Sequence, residues 1–141
     1  MDTPILVAII SSAASLAVAA ITFALTKRKE REAEWRKQKL DHYREFLDAL
    51  SGIVGTDSTP EAQRRWAKAA NTIGLVASQR VLSALWQFQD SIAKNNPNPS
   101  IDDHDRNLNQ LMLAIRADLG VTPKDEPNLF SFRLWCSGTN G

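Results

Sequence analysis

One cysteine, Cys136, stands among the 141 residues. No disulfide can form within the chain, and a small secreted scaffold held by cystines is excluded. Histidines number two and glycines six, and the glycines are scattered. The sequence accordingly lacks HExxH, CxxC, GxSxG and GxxxxGK[ST], the spacings that build a zinc hydrolase site, a nucleophile elbow or a phosphate-cradling loop. Charge is missing altogether from Pro4 to Thr26, "PILVAIISSAASLAVAAITFALT", a run of 23 residues.

That run is the first strong positive signal. As a helix rising about 1.5 Å per residue it spans roughly 34 Å, enough for a hydrocarbon core of about 30 Å. A cleaved signal peptide is the rival, and Ala17 to Ala19 read "AVA" as a cleavage site would. Signal peptides open on a basic segment, however, whereas this chain opens Met1-Asp2-Thr3. A retained single span is expected.

Its orientation follows from the basic residues beside it. None precedes the run, and seven follow within residues 27 to 39: Lys27, Arg28, Lys29, Arg31, Arg36, Lys37 and Lys39, against three Glu. The positive-inside bias places the following residues in the cytoplasm and the N-terminus outside. The same cations are expected at the anionic leaflet of the lipid bilayer, at about 1 kcal/mol each. Residues 40 to 141 carry ten basic and twelve acidic groups, so no nucleic-acid partner is expected of a domain with no basic excess. Within the span, Ala13, Ala17, Ala20 and Ala24 recur at intervals of four, three and four. This puts small side chains on one stripe, a common transmembrane association face, and a homo-oligomer is expected.

Beyond the span, Leu40, Tyr43, Leu47, Leu50 and Val54 follow a three-four repeat, so one helix is expected to run on from the membrane as a stalk and then pack. Glu32/Arg36 and Glu34/Lys37 support its polar part. Gly55 is the expected stop, and Ser58-Thr-Pro-Glu61 reads as a capping box. A second helix carries Ala62, Trp66, Ala69, Ile73 and Val76. A third, capped by Ser78, carries Val81, Leu85, Phe88 and Ile92. After the loop Asn95 to Ser100, Ser100-Ile-Asp-Asp103 caps a fourth, with Leu108, Leu111, Met112, Ile115 and Leu119, closed by Gly120. In the tail, Phe130, Phe132 and Leu134 alternate with Ser131 and Arg133, which indicates an extended segment.

The expected class is therefore all-α: a transmembrane anchor (1–26), a basic juxtamembrane helical stalk (27–39), a cytoplasmic antiparallel four-helix bundle (40–120) and an extended aromatic tail (121–141). The arrangement resembles small bacterial single-span inner-membrane proteins of unassigned function that keep a helical domain behind an uncleaved anchor. That resemblance implies a bacterial inner-membrane location and assigns no functional residue.

Chemistry-bearing residues are sparse. His104 in "IDDHDR" lies among Asp102, Asp103 and Asp105, but consecutive helical positions diverge by about 100° and cannot converge on one ion. Acidic residues in a first turn are expected from the helix dipole. His42 reads as a boundary histidine, and Glu45, Asp48 and Asp118 as single carboxylates near a seam. Neither catalysis, a metal nor a cofactor is called for. Arg64, Arg65, Lys68 and Arg116 are candidates for an anionic ligand, with Arg80 and Arg133 further cations to consider. Trp66, Trp86, Phe130, Phe132 and Trp135 are candidate contacts for a protein partner. Two functions compete: a non-enzymatic, membrane-anchored, self-associating scaffold, and a ligand-switched membrane effector of the phage-defence or stress type whose bundle binds an anionic signal. An enzyme would need His104 or a carboxylate to be essential, and a lysis component would need the opposite topology.

Overall fold

A computed structural model describes residues 2–54 and 58–134. It is all-helical, with no strand among the described residues: α1 (Thr3–Ile53), α2 (Pro60–Ile73), α3 (Gln79–Ile92) and α4 (Ile101–Asp118). The expected stop at Gly55, the contact residue Trp135 and the thiol of Cys136 lie outside the described residues. The chain divides into two compact units, Met1–Lys37 and Gln38–Gly141.

The first unit is helix throughout its described length apart from Asp2, and all of it is exposed. Its apolar stretch has a mean hydropathy of 2.3, is long enough to cross a membrane, and has none of its residues buried within the protein. Side chains such as Ile10, Leu16 and Phe23 have no protein covering most of their surface. Two hydroxyls inside this stretch bond the preceding turn: Ser12 donates to the Ile9 carbonyl at 3.0 Å and Ser15 to that of Ser11 at 2.9 Å. Beyond it, Lys27 pairs with Glu30 and Arg28 with Glu32 at 2.8 and 2.9 Å. Glu32 thus takes the cation one turn before it rather than Arg36 one turn after. Such exposed pairs contribute only about 0.3–0.5 kcal/mol each, so their choice of partner is weakly determined.

In the second unit the later part of α1 meets the other three helices around one core that includes Tyr43, Phe46, Leu50, Ile73, Val81, Leu85, Phe88, Leu111 and Ile115. The face of α1 differs from the expected repeat. Tyr43 and Leu50 are buried as expected, but Phe46 and Ala49 join them, while Leu47 is half-buried and Val54 exposed. The larger ring decides the rotation. Phe46 packs its ring 4.9 Å from that of Trp66, and Trp66 meets Phe88 edge-on at 6.3 Å. Burying a phenylalanine removes more apolar surface from water than burying Val54.

The start of α2 also differs by one residue. Thr59, not Ser58, is the cap, and its side chain accepts from the Ala62 N–H. Pro60 then occupies the first helical position, where its missing N–H and fixed φ are best tolerated. Ser78 and Ser100 cap α3 and α4 as expected, accepting from the Val81 and Asp103 N–H groups. Helices α3 and α4 approach most closely. Ala84 and Ala114 line the groove between them, and small side chains there permit close backbones.

Helix α4 buries more than its expected stripe, since Leu113 and Ala114 are also covered. Its end explains the cover at Leu113. Gly120 adopts φ 68, the Val121 N–H bonds the Arg116 carbonyl and the Gly120 N–H that of Ala117, both at 3.1 Å. This is a Schellman closure, which requires the left-handed residue that only glycine supplies without strain. The chain reverses there, passes a cis Thr122–Pro123 bond, and brings Val121 and Pro127 beside Leu113.

Candidate functional site

An acidic residue in the last turn of a helix opposes the dipole and needs compensation. Asp118, the last residue of α4, has three sources of it. Lys39 donates to both carboxylate oxygens at 3.1 Å, the Tyr43 hydroxyl donates at 2.5 Å, and the Ser78 backbone N–H donates as well. The Asp118 side chain is only 8% exposed and that of Lys39 15%. Burial alone would raise the Asp118 pKa, but the hydrogen bonds from Tyr43 and Lys39, the Lys39 charge and the Ser78 N–H together hold it below the usual carboxylate range. Burial, then the hydrogen bond and negative charge of Asp118, push the Tyr43 phenol well above its ordinary value. One carboxylate therefore ties together α1, the start of α3 and the end of α4. With its lone pairs so fully engaged it is a fastening and not a poised base.

A second polar group docks the tail. Asn109 on α4 donates through its side-chain nitrogen to the Phe130 carbonyl at 3.2 Å, and its side-chain oxygen accepts from the Phe132 N–H at 2.7 Å. It thus supplies to the tail one rung of what a neighbouring strand would offer. Phe130, Phe132 and Leu134 pack half-buried against the core, while Ser131 and Arg133 are exposed. Nearby, Arg116 grips Asp125 with two bonds, 2.7 and 3.0 Å, and lies 5.5 Å from the Phe130 ring centre. The pairing holds Asp125 below the usual carboxylate range and raises Arg116. Asn109→Ala removes both tail bonds at a cost of about 1–2 kcal/mol. Limited proteolysis should then cut residues 124–134 several-fold faster than in the native chain; equal rates would show that the aromatic side chains alone hold the tail.

The remaining sequence candidates are placed separately. Arg64, Arg65 and Lys68 are exposed on α2; Arg64 is 3.6 Å from Glu61 and Arg65 3.4 Å from Asp48. Arg116, the fourth of the anionic-ligand group, is committed to Asp125. Lys39, grouped by sequence with the membrane-surface cations, is the partner of Asp118. Trp66 is half-buried in the core and Trp86 is 59% exposed. His104 lies 5.4 Å from the Phe88 ring and 2.9 Å from Asp105, beside a cavity of ≈ 640 Å³ that Phe88, Asn109 and Phe132 also line. Among the described residues no three His, Cys, Asp or Glu side chains gather as metal ligands would. Glu45 and Asp48 are exposed.

Asn109 was not singled out by the sequence, and Asp118 was named there only as a carboxylate near a seam, without its partners. Asn109 carries no local signal. Asp118 carried one, its unfavourable place in a last turn, but its partners are 75 and 79 residues away along the chain. No family model, curated protein or solved structure matches the chain.

Proposed function

We propose that this chain is a non-enzymatic, single-pass protein of the bacterial inner membrane, N-terminus outside, whose cytoplasmic helical bundle self-associates and serves as an interaction scaffold. The observation that supports it most is the apolar first half of α1, long enough to span and with no residue covered by protein. Soluble proteins do not leave so large an apolar surface open to water. The seven cations after it and none before it favour the cytoplasmic side for the C-terminal unit.

Self-association rests on Ala13, Ala17, Ala20 and Ala24, which occupy one stripe of an uninterrupted helix and are all exposed. Tethering in a plane raises the effective concentration of further contacts, among them the exposed Trp86. The mass of the full chain in nanodiscs is the test. A defined oligomer is expected, and changing the four alanines to leucine should weaken it by about tenfold or more. A monomeric native chain would remove the basis of the scaffold reading.

A further inference from the structure

The turn that closes α4 leaves a cleft of ≈ 360 Å³ between it, α4 and the first turn of α3. Its apolar lining comes from Leu113, Ala117, Val121 and Pro127, and its charge from Arg80 and Lys124. We propose that this cleft binds a small amphiphilic anion, a phosphate or carboxylate carried on a short apolar body. The site lies wholly within the C-terminal unit and does not depend on the scaffold reading.

Four features lead there. Arg80 and Lys124 are exposed, and neither forms an ion pair among the described residues, whereas Arg64, Arg65, Arg106 and Arg116 each do. Two unneutralised cations on one concave surface are a recognition element for an anion, and an arginine fork suits phosphate or carboxylate in particular. The one acid in the lining, Asp125, does not cancel them, because Arg116 occupies both its oxygens. One helix end is favourable: Arg80 is in the first turn of α3, whose dipole attracts anions. The end of α4 opposes an anion, and the Schellman bonds to the Arg116 and Ala117 carbonyls lessen that opposition. Finally, Gly120 has no neighbour within 4 Å of where a Cβ would sit, so the wall of the cleft is open at the point where main chain is bare.

The shape sets the class of ligand. The volume is at the small end of ligand sites, which run from about 300 to 1,000 Å³, and the apolar lining has no role for a bare inorganic ion. A headgroup with a few carbons fits both halves. Such chemistry is offered by a free amphiphilic solute or by the headgroup end of an anionic lipid.

Hexyl phosphate is a suitable probe for the full chain in nanodiscs of zwitterionic phospholipid, followed by titration calorimetry against empty discs. Saturable binding is expected, about tenfold or more tighter than that of inorganic phosphate. Arg80→Gln with Lys124→Gln should weaken it at least about tenfold by removing the charge, and Ala117→Phe similarly by filling the cleft. All three substitutions are at exposed positions, and unchanged thermal melting would show that the fold is intact. No saturable heat, equal affinity for inorganic phosphate, or native-like binding by these variants would each overturn the proposal. Phosphatidic acid added to the discs distinguishes the two sources: it lowers the affinity for hexyl phosphate in the native chain if the cleft takes a lipid headgroup, and leaves it unchanged if the ligand is a free solute.

Discussion

Raising the pH of the full chain will leave Tyr43 protonated well past pH 10, and tyrosinate absorbance will appear only as the C-terminal unit unfolds. Tyr43 is the single tyrosine of the protein, so the absorbance reports one site. Its ring is 1% exposed, and its hydroxyl donates to a carboxylate 2.5 Å away. Ionising it would bury a second anion against the first. Burial, the hydrogen bond and the charge of Asp118 accordingly raise its pKa. The unfolded chain, with a tyrosine pKa of about 10, releases the proton that the folded chain retains. This contribution to stability is full below about pH 10 and is lost as the pH rises above it, by about 1.4 kcal/mol per unit. Absorbance and helical circular dichroism should change together in one alkaline transition. Tyrosinate forming near pH 10 in a chain that is still helical would mean that the phenol is not held as described. Tyr43→Phe should remove this source of alkaline sensitivity at a cost of about 1 kcal/mol near neutrality.

The second large effect is expected of Asp118→Ala. It removes at once the carboxylate that a mostly buried Lys39 ammonium, the Tyr43 hydroxyl and the Ser78 N–H share. Removing one partner of a buried pair typically costs about 3–5 kcal/mol, and the residual exposure of Lys39 places this case near the lower figure. For a unit of this size that corresponds to a melting temperature lower by about 10–20 °C. Asp118→Asn keeps the shape and some hydrogen bonds but loses the charge, so a smaller fall is expected. The acid side follows from the lowered pKa of Asp118. Its contribution is present above the unfolded value of about 3.9 and is lost as the pH falls through the lower folded value. The native chain should therefore lose this contribution only below about pH 4, and the alanine variant, which lacks it, should show no such loss. Melting curves across that range, read for native and variant chains alike, check both statements; a loss of less than about 1 kcal/mol at neutral pH would reduce the fastening to an ordinary surface pair.

What could be read in advance follows how local each cause is. Ser78 and Ser100 were recognisable as caps because a cap bonds a donor three residues on. The alternation of Phe130, Phe132 and Leu134 was visible because extended chain has a period of two. The cap of α2 went to Thr59 because proline's position outweighed the neighbouring serine. The face of α1 turned toward Phe46, since a core is filled by volume and the repeat of Leu40, Leu47 and Val54 says nothing of the ring opposite. Asp118 shows the other limit. Lys39 looked like one more juxtamembrane cation until the fold brought α4 to it. The cleft beside Gly120 was hidden likewise: Arg80 and Lys124 are 44 positions apart and meet only through the reversal after α4.

Asn109 places an unequal constraint on the two segments it joins. A side-chain amide gives and accepts a hydrogen bond at once, and among residues of its length no other side chain does both. Aspartate would keep the Phe132 N–H but repel the Phe130 carbonyl, and leucine would serve neither. The tail, by contrast, is gripped at this point through its main chain, so Ser131 and Arg133 are free to become almost anything but proline or a β-incompatible residue. In the history of such a protein, substitutions would accumulate freely along the outer side of the tail while a single helical position stayed fixed, and a scan of all replacements would find its sharpest intolerance on the helix that receives the tail.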